Sequence, residues 1–418
     1  MESSSPTAPR SPSRHAILFV LITVFLDMVG FGIVIPVLPR LIEEVGQMSL
    51  AQASIIGGWM FFAYSIGQFL FGPVMGNLSD RFGRRPLLLL AILGLGLDNI
   101  LQALAPNLEW LFVGRVISGI CGASWIIANA YIADITAPEE RARYFGMIGA
   151  AFGLGFVLGP AIGGLLGEFG PRVPFYAAAA ISGINLVYGW FVLPETLAPA
   201  SRRPFEWARA NPFGAFKVFQ SYHGVVPLCV VLFCFFFCAS VYQAIWSFWG
   251  IAKFGWSPAM VGLSLAIFGI ITAAMQGGLT GPLVKRFGEY RMLLVGLLFS
   301  AIGAFGYGLA GSLPVVIVMM IIHAPEGFVM PLLQSMMTRL VPENAQGELQ
   351  GGMSAVMNVA ALAGTVFFSQ IFGYFLSENA PFQSPSVAFI VAAGGLVATL
   401  GLFVALIKPP AREAQAAG

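Results

Sequence analysis

The chain has 418 residues, of which 58% are hydrophobic and only 10% charged, with a net charge of +2. So small an excess of positive charge gives no grounds for a nucleic-acid partner, and apolar residues that follow neither the two-residue nor the 3.6-residue period exclude an ordinary water-soluble globule. Apolar runs of about 20 residues recur from end to end, each long enough to cross a hydrocarbon core as a helix. The alternating strands of an outer-membrane barrel are absent.

The opening residues "MESSSPTAPRSPSR" form a polar tail, 1–14. The apolar run behind them is too long for a signal-peptide core and has no small-residue cleavage site before Asp27, so no cleavage is expected. Twelve spans are predicted, at 15–37, 51–75, 87–105, 110–132, 144–166, 173–193, 223–250, 258–280, 291–311, 314–338, 350–376 and 385–407. This makes an all-α membrane protein: a six-helix half over 15–193, a linker over 194–222, a second six-helix half over 223–408 and a tail over 409–418.

Span 1 carries Asp27, and span 2 carries Gln68. Between spans 2 and 3 lies "GNLSDRFGRRPLLLL", the densest group of charges, where Gly76 and Gly83 would let the chain turn tightly. Span 3 carries Asp98; span 4 carries Arg115 and Asn129. Span 5 has small residues at Gly146, Ala150, Gly155, Gly159 and Gly163, suited to close backbone approach, and Pro160, which would kink it. The linker interleaves Arg202, Arg203, Arg209 and Lys217 with aromatic residues, as a segment on an anionic membrane surface would. Span 7 is aromatic-rich, with Gln243 and Trp246, and holds Cys229, Cys234 and Cys238; Cys121 lies in span 4, and all four read as packing residues with no metal-ligand spacing. Span 8 carries Gln276, and span 10 carries His323 and Glu326, one turn apart on one face.

Seventeen of the 21 Lys and Arg lie in the termini and even-numbered connections, counting Arg291 at the very start of span 9 with the connection before it; only Arg40, Arg172 and Lys253 lie in odd-numbered ones, with Arg115 inside a span. The positive-inside rule therefore predicts both termini on the cytoplasmic side. The halves also echo each other: Gly281–Arg291 repeats the charged stretch 205 residues on, with Asp80 replaced by Lys285, and Pro138–Glu139 recurs as Pro342–Glu343. Paired six-span halves of this kind build many secondary transporters, with the substrate site between them. No phosphate-cradling loop appears, so a gradient must supply the energy.

Asp27, Asp98, Arg115 and Glu326 are charges inside spans, each costing about 2.5–3.5 kcal/mol or more on insertion scales, and each is a functional candidate or half of a structural ion pair. Gln68, Asn129, Gln243, Trp246 and Gln276 are candidates to line a cavity or to bond neighbouring helices, with Gln243 and Trp246 favoured.

Three motifs and three longer stretches carry a resemblance. Gly76, Leu78, Asp80, Arg81, Gly83, Arg84 and Arg85 resemble the loop signature of the major facilitator superfamily. Arg115 in "LFVGRVISGICGA" is similar to its membrane-embedded arginine motif, and Gly146, Gly155, Gly159, Pro160, Gly163 and Gly164 fit its drug/proton antiporter signature at every position. "DMVGFGIVIPVLPRLI", "ANAYIADITAPEERARYFG" and "QGELQGGMSAV" resemble the Gram-negative tetracycline efflux proteins.

The resemblance implies proton-coupled drug efflux, most closely of tetracycline, across the bacterial inner membrane by alternating access. Another amphiphilic drug or metabolite is the alternative, and an uptake symporter is disfavoured by span 5. It implies Asp27 or Asp98 as proton carrier, Arg115 as switching partner, and span 5 as an extracellular seal. It also implies a latch of Gly76, Asp80, Arg81, Gly83 and Arg84 for the outward-open state, in which Asp80 caps a helix N-terminus across the interface. A span 9 aspartate and a span 8 histidine of those proteins are replaced by Ser300 and Thr272. Glu326, tuned by His323, is expected to take over part of the lost role. No catalysis, metal or organic cofactor is implied. The expected partners are drug, protons and lipids, for a protein acting as a monomer.

Overall fold

The computed structural model describes residues 14–122, 124–137, 140–207 and 210–409. The tails beyond them, Pro138–Glu139 and Arg209 lie outside the described residues. Among the described residues twelve helices are long and apolar enough to cross a membrane: span 1 Ala16–Val34, span 2 Leu50–Phe82, span 3 Arg84–Ala103, span 4 Leu108–Ile135, span 5 Arg143–Gly167, span 6 Val173–Val192, span 7 His223–Phe254, span 8 Pro258–Phe287, span 9 Glu289–Leu309, span 10 Leu313–Thr338, span 11 Gln346–Leu376 and span 12 Val387–Leu406. Helices follow because lipid offers backbone amides no partner, so each must be satisfied within its own segment.

Local chemistry sets several ends. Ser49 and Gln52 form a capping box at the start of span 2, the Asn107 side chain accepts from Trp110 at span 4, and Gly255, at φ 66°, ends span 7. The charged stretch is not a turn throughout: residues 76–82 are the last turns of span 2, and the reversal falls on Gly83 alone, at φ 107° and ψ 156°. Gly76 instead packs beneath Ile126, where a methyl would lie 3.4 Å from Cγ2. The repeated glycine, Gly288, has the same conformation at φ 86° and ψ 161°, so the internal repeat is structural at its hinge.

Two spans depart from α geometry. Pro325 lacks an amide hydrogen, and span 10 passes through a 3₁₀ turn, Ala324–Phe328, that contains Glu326. Span 8 holds a π-helical turn, Met275–Leu279, and the two irregular turns meet where Gly327 lies against Gln276 and Thr272.

The core shows where the halves join. At the end opposite the linker, one apolar cluster mixes Val29, Ile33, Leu41 and Phe61 with Val241, Phe248, Trp249 and Phe389. At the linker end each half keeps its own cluster, one around Phe19, Leu88 and Tyr131, the other around Leu232, Leu293 and Phe403. The bundle is thus closed at the far end and parted at the linker end.

Candidate functional site

The far-end closure rests on small residues. Span 5 uses two faces: Gly155, Gly159 and Gly163, spaced four apart, lie on the span 1 backbone, where a methyl on Gly163 would overlap the Ile33 carbonyl. Pro160 and Gly164 face span 8 of the other half, against Gly262, Pro258 and Ala259. Gly146, counted with the stripe from sequence, takes no part in this packing: a methyl there would meet no described neighbour within 4 Å. Spans 2 and 11 close the other seam, with Gly58 on Ser369 and Gly373 on Ala51 and Ile55.

Between the parted ends lies a cavity of about 490 Å³, lined by Gln68, Phe69 and Trp125 from the first half and Gln350, Ser354 and Asn358 from span 11, with Pro212 and Ala215 of the linker at its edge. Among the described residues no charged side chain lines it. Of the cavity candidates, Gln68 is there, its amide donating to the Gly122 carbonyl at 3.4 Å. Asn129 turns back to the Trp125 carbonyl at 2.8 Å, and Gln276 lies against Gly327. Gln243 lines a separate small crevice with Ile35 and Phe61. Trp246 is buried, its indole N–H donating to Ser264 Oγ at 2.9 Å among Trp249, Trp256 and Tyr307. Its ring also lines a small apolar cavity of about 30 Å³ with Tyr242, Phe268, Tyr307 and His323, separate from the large one. The span 11 residues, overlooked in the sequence, were legible there as uncharged polar positions four apart.

The buried charges of the first half converge. Asp27, Asp98, Arg115, Tyr64, Ser118 and Ser124 surround a cavity of about 40 Å³ that shares Gly122 with the larger one. Ser124 donates to Asp27 Oδ2 at 2.9 Å, and Ser118 donates to Asp98. Arg115 reaches Asp98 through an amide: its Nη2 donates to Gln102 Oε1 at 2.6 Å, and Gln102 Nε2 donates to Asp98 Oδ2 at 2.6 Å. Gln102 was missed, although its position one turn after Asp98 was a signal.

In the second half, His323 and Glu326 pair as their spacing suggested. The imidazole stacks on Phe268, lies 4.8 Å from the Tyr242 ring, and has the Tyr307 hydroxyl 3.4 Å from Nδ1. Ser300 is fully buried and donates to the Gly296 carbonyl of its own helix at 2.9 Å.

In the hinge region, Arg84 gathers Asp80 at 2.7 Å, Asp134 at 3.0 Å and the Ser79 hydroxyl at 2.6 Å. Its own amide, first in span 3, donates to Glu195 of the linker at 2.9 Å. Arg81 lies over the Phe82 ring. Asp80 is thus engaged by Arg84 of its own loop in this conformation, while Glu195 occupies the helix N-terminus, where negative charge is favoured. The repeat mirrors the bridge with its charges exchanged: 205 residues on, Glu289 pairs with Arg339 where Arg84 pairs with Asp134.

The chain matches the profile of the Major Facilitator Superfamily over residues 20–364 and 228–418. It is 40% identical over 360 residues to the tetracycline resistance protein, class C, of Escherichia coli, covering 86% of this chain and 90% of that protein. It is 36% identical to the class G protein of Vibrio anguillarum, covering 86% and 91%. Among solved structures, the nucleoside transporter NupG shares its fold with a TM-score of 0.76 at 13% identity, covering 94% of this chain and all of that one. A twelve-span fold of two echoing halves, a signature span 5 that packs as a seam, and identity over most of its length place this chain in the Major Facilitator Superfamily, in the family of the tetracycline resistance proteins.

Proposed function

We propose that the protein exports a tetracycline-class drug in exchange for protons by alternating access, in a bacterial inner membrane with the linker end and both termini cytoplasmic. The observation that carries this is the juxtaposition at Gly122, where a drug-sized cavity lined by apolar and neutral polar residues abuts the smaller cavity that holds Asp27 and Asp98. Drug enters from the parted linker end and lies against Trp125, whose neighbour Ser124 donates to Asp27. Occupancy is thereby felt at the acid. Asp27 or Asp98 carries the proton, Arg115 stabilises the ionised form, and the coupling ion is the only cofactor.

Glu326 and His323 replace part of the second-half acid absent at Ser300. Asp80 leaves Arg84 and caps the start of a helix in the opposite half when the linker end closes. The protein works as a monomer. The burial of Ser300, its hydroxyl turned back to the Gly296 carbonyl, and the contact of Thr272 with Gly327 favour, as a second reading, an amphiphilic cargo other than tetracycline.

The test is drug-dependent proton release from detergent-solubilised protein, screened over tetracyclines and unrelated amphiphiles. Release with tetracyclines, lost in Asp27→Asn or Asp98→Asn, supports the proposal. Release only with unrelated drugs selects the second reading, and no release with any drug removes proton exchange.

A further inference from the structure

Gln102 is fully buried and hydrogen-bonded to two charges, one at each end of its amide. An ionised carboxylate can only accept and a guanidinium can only donate, so chemistry fixes the amide: its oxygen faces Arg115 and its NH₂ faces Asp98. The guanidinium polarises the amide, which strengthens its donation to the carboxylate. Ser118, from span 4, donates to the same oxygen, Oδ2. Oδ1 is buried and has no hydrogen-bond partner among the described residues. The backbone of Gly114 lies close to it, where a methyl would come within 2.6 Å of Oδ1 and 2.7 Å of Gln102 Cγ.

The two carboxylate oxygens are therefore not equivalent. We infer that Gln102 is a positioning residue of proton coupling, one that ties Oδ2 of Asp98 to Arg115 and leaves Oδ1 as the atom that binds and releases the proton. This rests on the proton-coupled reading above. When Oδ1 is protonated, Oδ2 becomes a carbonyl oxygen and still accepts from Gln102 and Ser118, so the proton can come and go without rearranging the bridge. The adjoining cavity of about 40 Å³, lined by both Asp98 and Asp27, has room for about three or four waters at about 10–15 Å³ each. The titratable or charged groups around Asp98 are Arg115 and Cys121 of span 4, Tyr64 of span 2 and Asp27 of span 1. Among these groups Arg115 is the cation, and its hydrogen-bonded route to Asp98 runs through Gln102.

The experiment uses full-length protein in proteoliposomes, measuring tetracycline uptake driven by an imposed pH gradient across a range of pH. Gln102→Met removes donor and acceptor at similar length. Gln102→Glu keeps an acceptor for Arg115 but cannot donate to ionised Asp98. Losing one charge-assisted bond should move the midpoint of the pH profile alkaline by about one unit, a tenfold rise in proton affinity, in Gln102→Met, and further in Gln102→Glu. Tetracycline affinity should stay within about twofold of wild type, since Gln102 does not line the drug cavity. If Gln102→Met fails to assemble, Ser118→Ala, which removes the other donor to Oδ2, must show the alkaline shift. Variants that assemble and keep the wild-type midpoint overturn the inference about Gln102 while leaving proton coupling intact. A wild type that moves drug without proton counter-flow overturns the coupled reading, and this inference with it.

Discussion

The carboxylate of Glu168 accepts the backbone N–H of Ala259 at 3.0 Å, tying the end of span 5 to the first turn of span 8 across the two halves. It is a charged cap on a helix N-terminus, made only while the far end is closed. Hydrogen bonds from Ser257 and Ala259 hold its pKa below the ordinary 4.5. A depressed pKa means the contact favours closure while ionised, at full strength above the ordinary carboxylate range and fading as pH falls through the lowered value. Glu168→Gln should shift the balance toward far-end opening by about two- to fivefold, as expected of a surface cap worth roughly 0.3–1 kcal/mol. Spin-label distances between the far ends of spans 5 and 8 measure it, and above about pH 5 the wild-type distance distribution should not respond to this group.

Gly163 and Gly146 belong to one signature and have opposite surroundings. Gly163→Ala places a methyl against the Ile33 carbonyl and should destabilise the protein by about 1–3 kcal/mol, lowering the thermal midpoint in detergent. Gly146→Ala meets open space and should leave both the midpoint and transport unchanged. Equal losses in the two variants would contradict the packing.

The exchanged bridges predict a rescue. Glu289→Arg alone sets two cations together and should reduce stability and transport. Combined with Arg339→Glu it restores the pair in the polarity of Arg84 and Asp134 and should recover most of the loss. The double-mutant coupling, from thermal melts, should be about 1 kcal/mol or less, because Arg339 is largely exposed.

Asn358 lines the large cavity and Asn129 does not. Asn358→Leu should change tetracycline affinity by about two- to tenfold, the range for one neutral hydrogen bond, with the pH midpoint of transport unmoved. Asn129→Leu should leave affinity within about twofold. Equilibrium binding by tetracycline fluorescence separates the two.

Glu326→Gln removes the charge paired to His323 while keeping its size. If the pair shares in coupling, drug–proton exchange in proteoliposomes should fall by tenfold or more with the thermal midpoint little changed. Full proton-coupled transport in this variant would reduce the pair to a structural contact.

The twelve spans were legible in the sequence because hydrophobic length is a one-dimensional property, and a helix is the only answer lipid allows to a lone apolar segment. The buried charges were legible for the same reason, since an acid such as Asp98 is conspicuous within an apolar run. The repeat showed its hinge, where Gly83 and Gly288 share a backbone conformation that side chains resist. What the sequence left open was partnership. That Arg115 reaches Asp98 through Gln102, that Trp246 finds Ser264, that Gly146 packs on nothing, and that span 11 supplies Gln350, Ser354 and Asn358 to the cavity each depend on how a helix is rotated against its neighbours. Spans that are apolar on every face carry no stripe to fix that rotation. Small-residue contacts and a few buried hydrogen bonds between distant segments decide it, and those exist only in the assembled bundle.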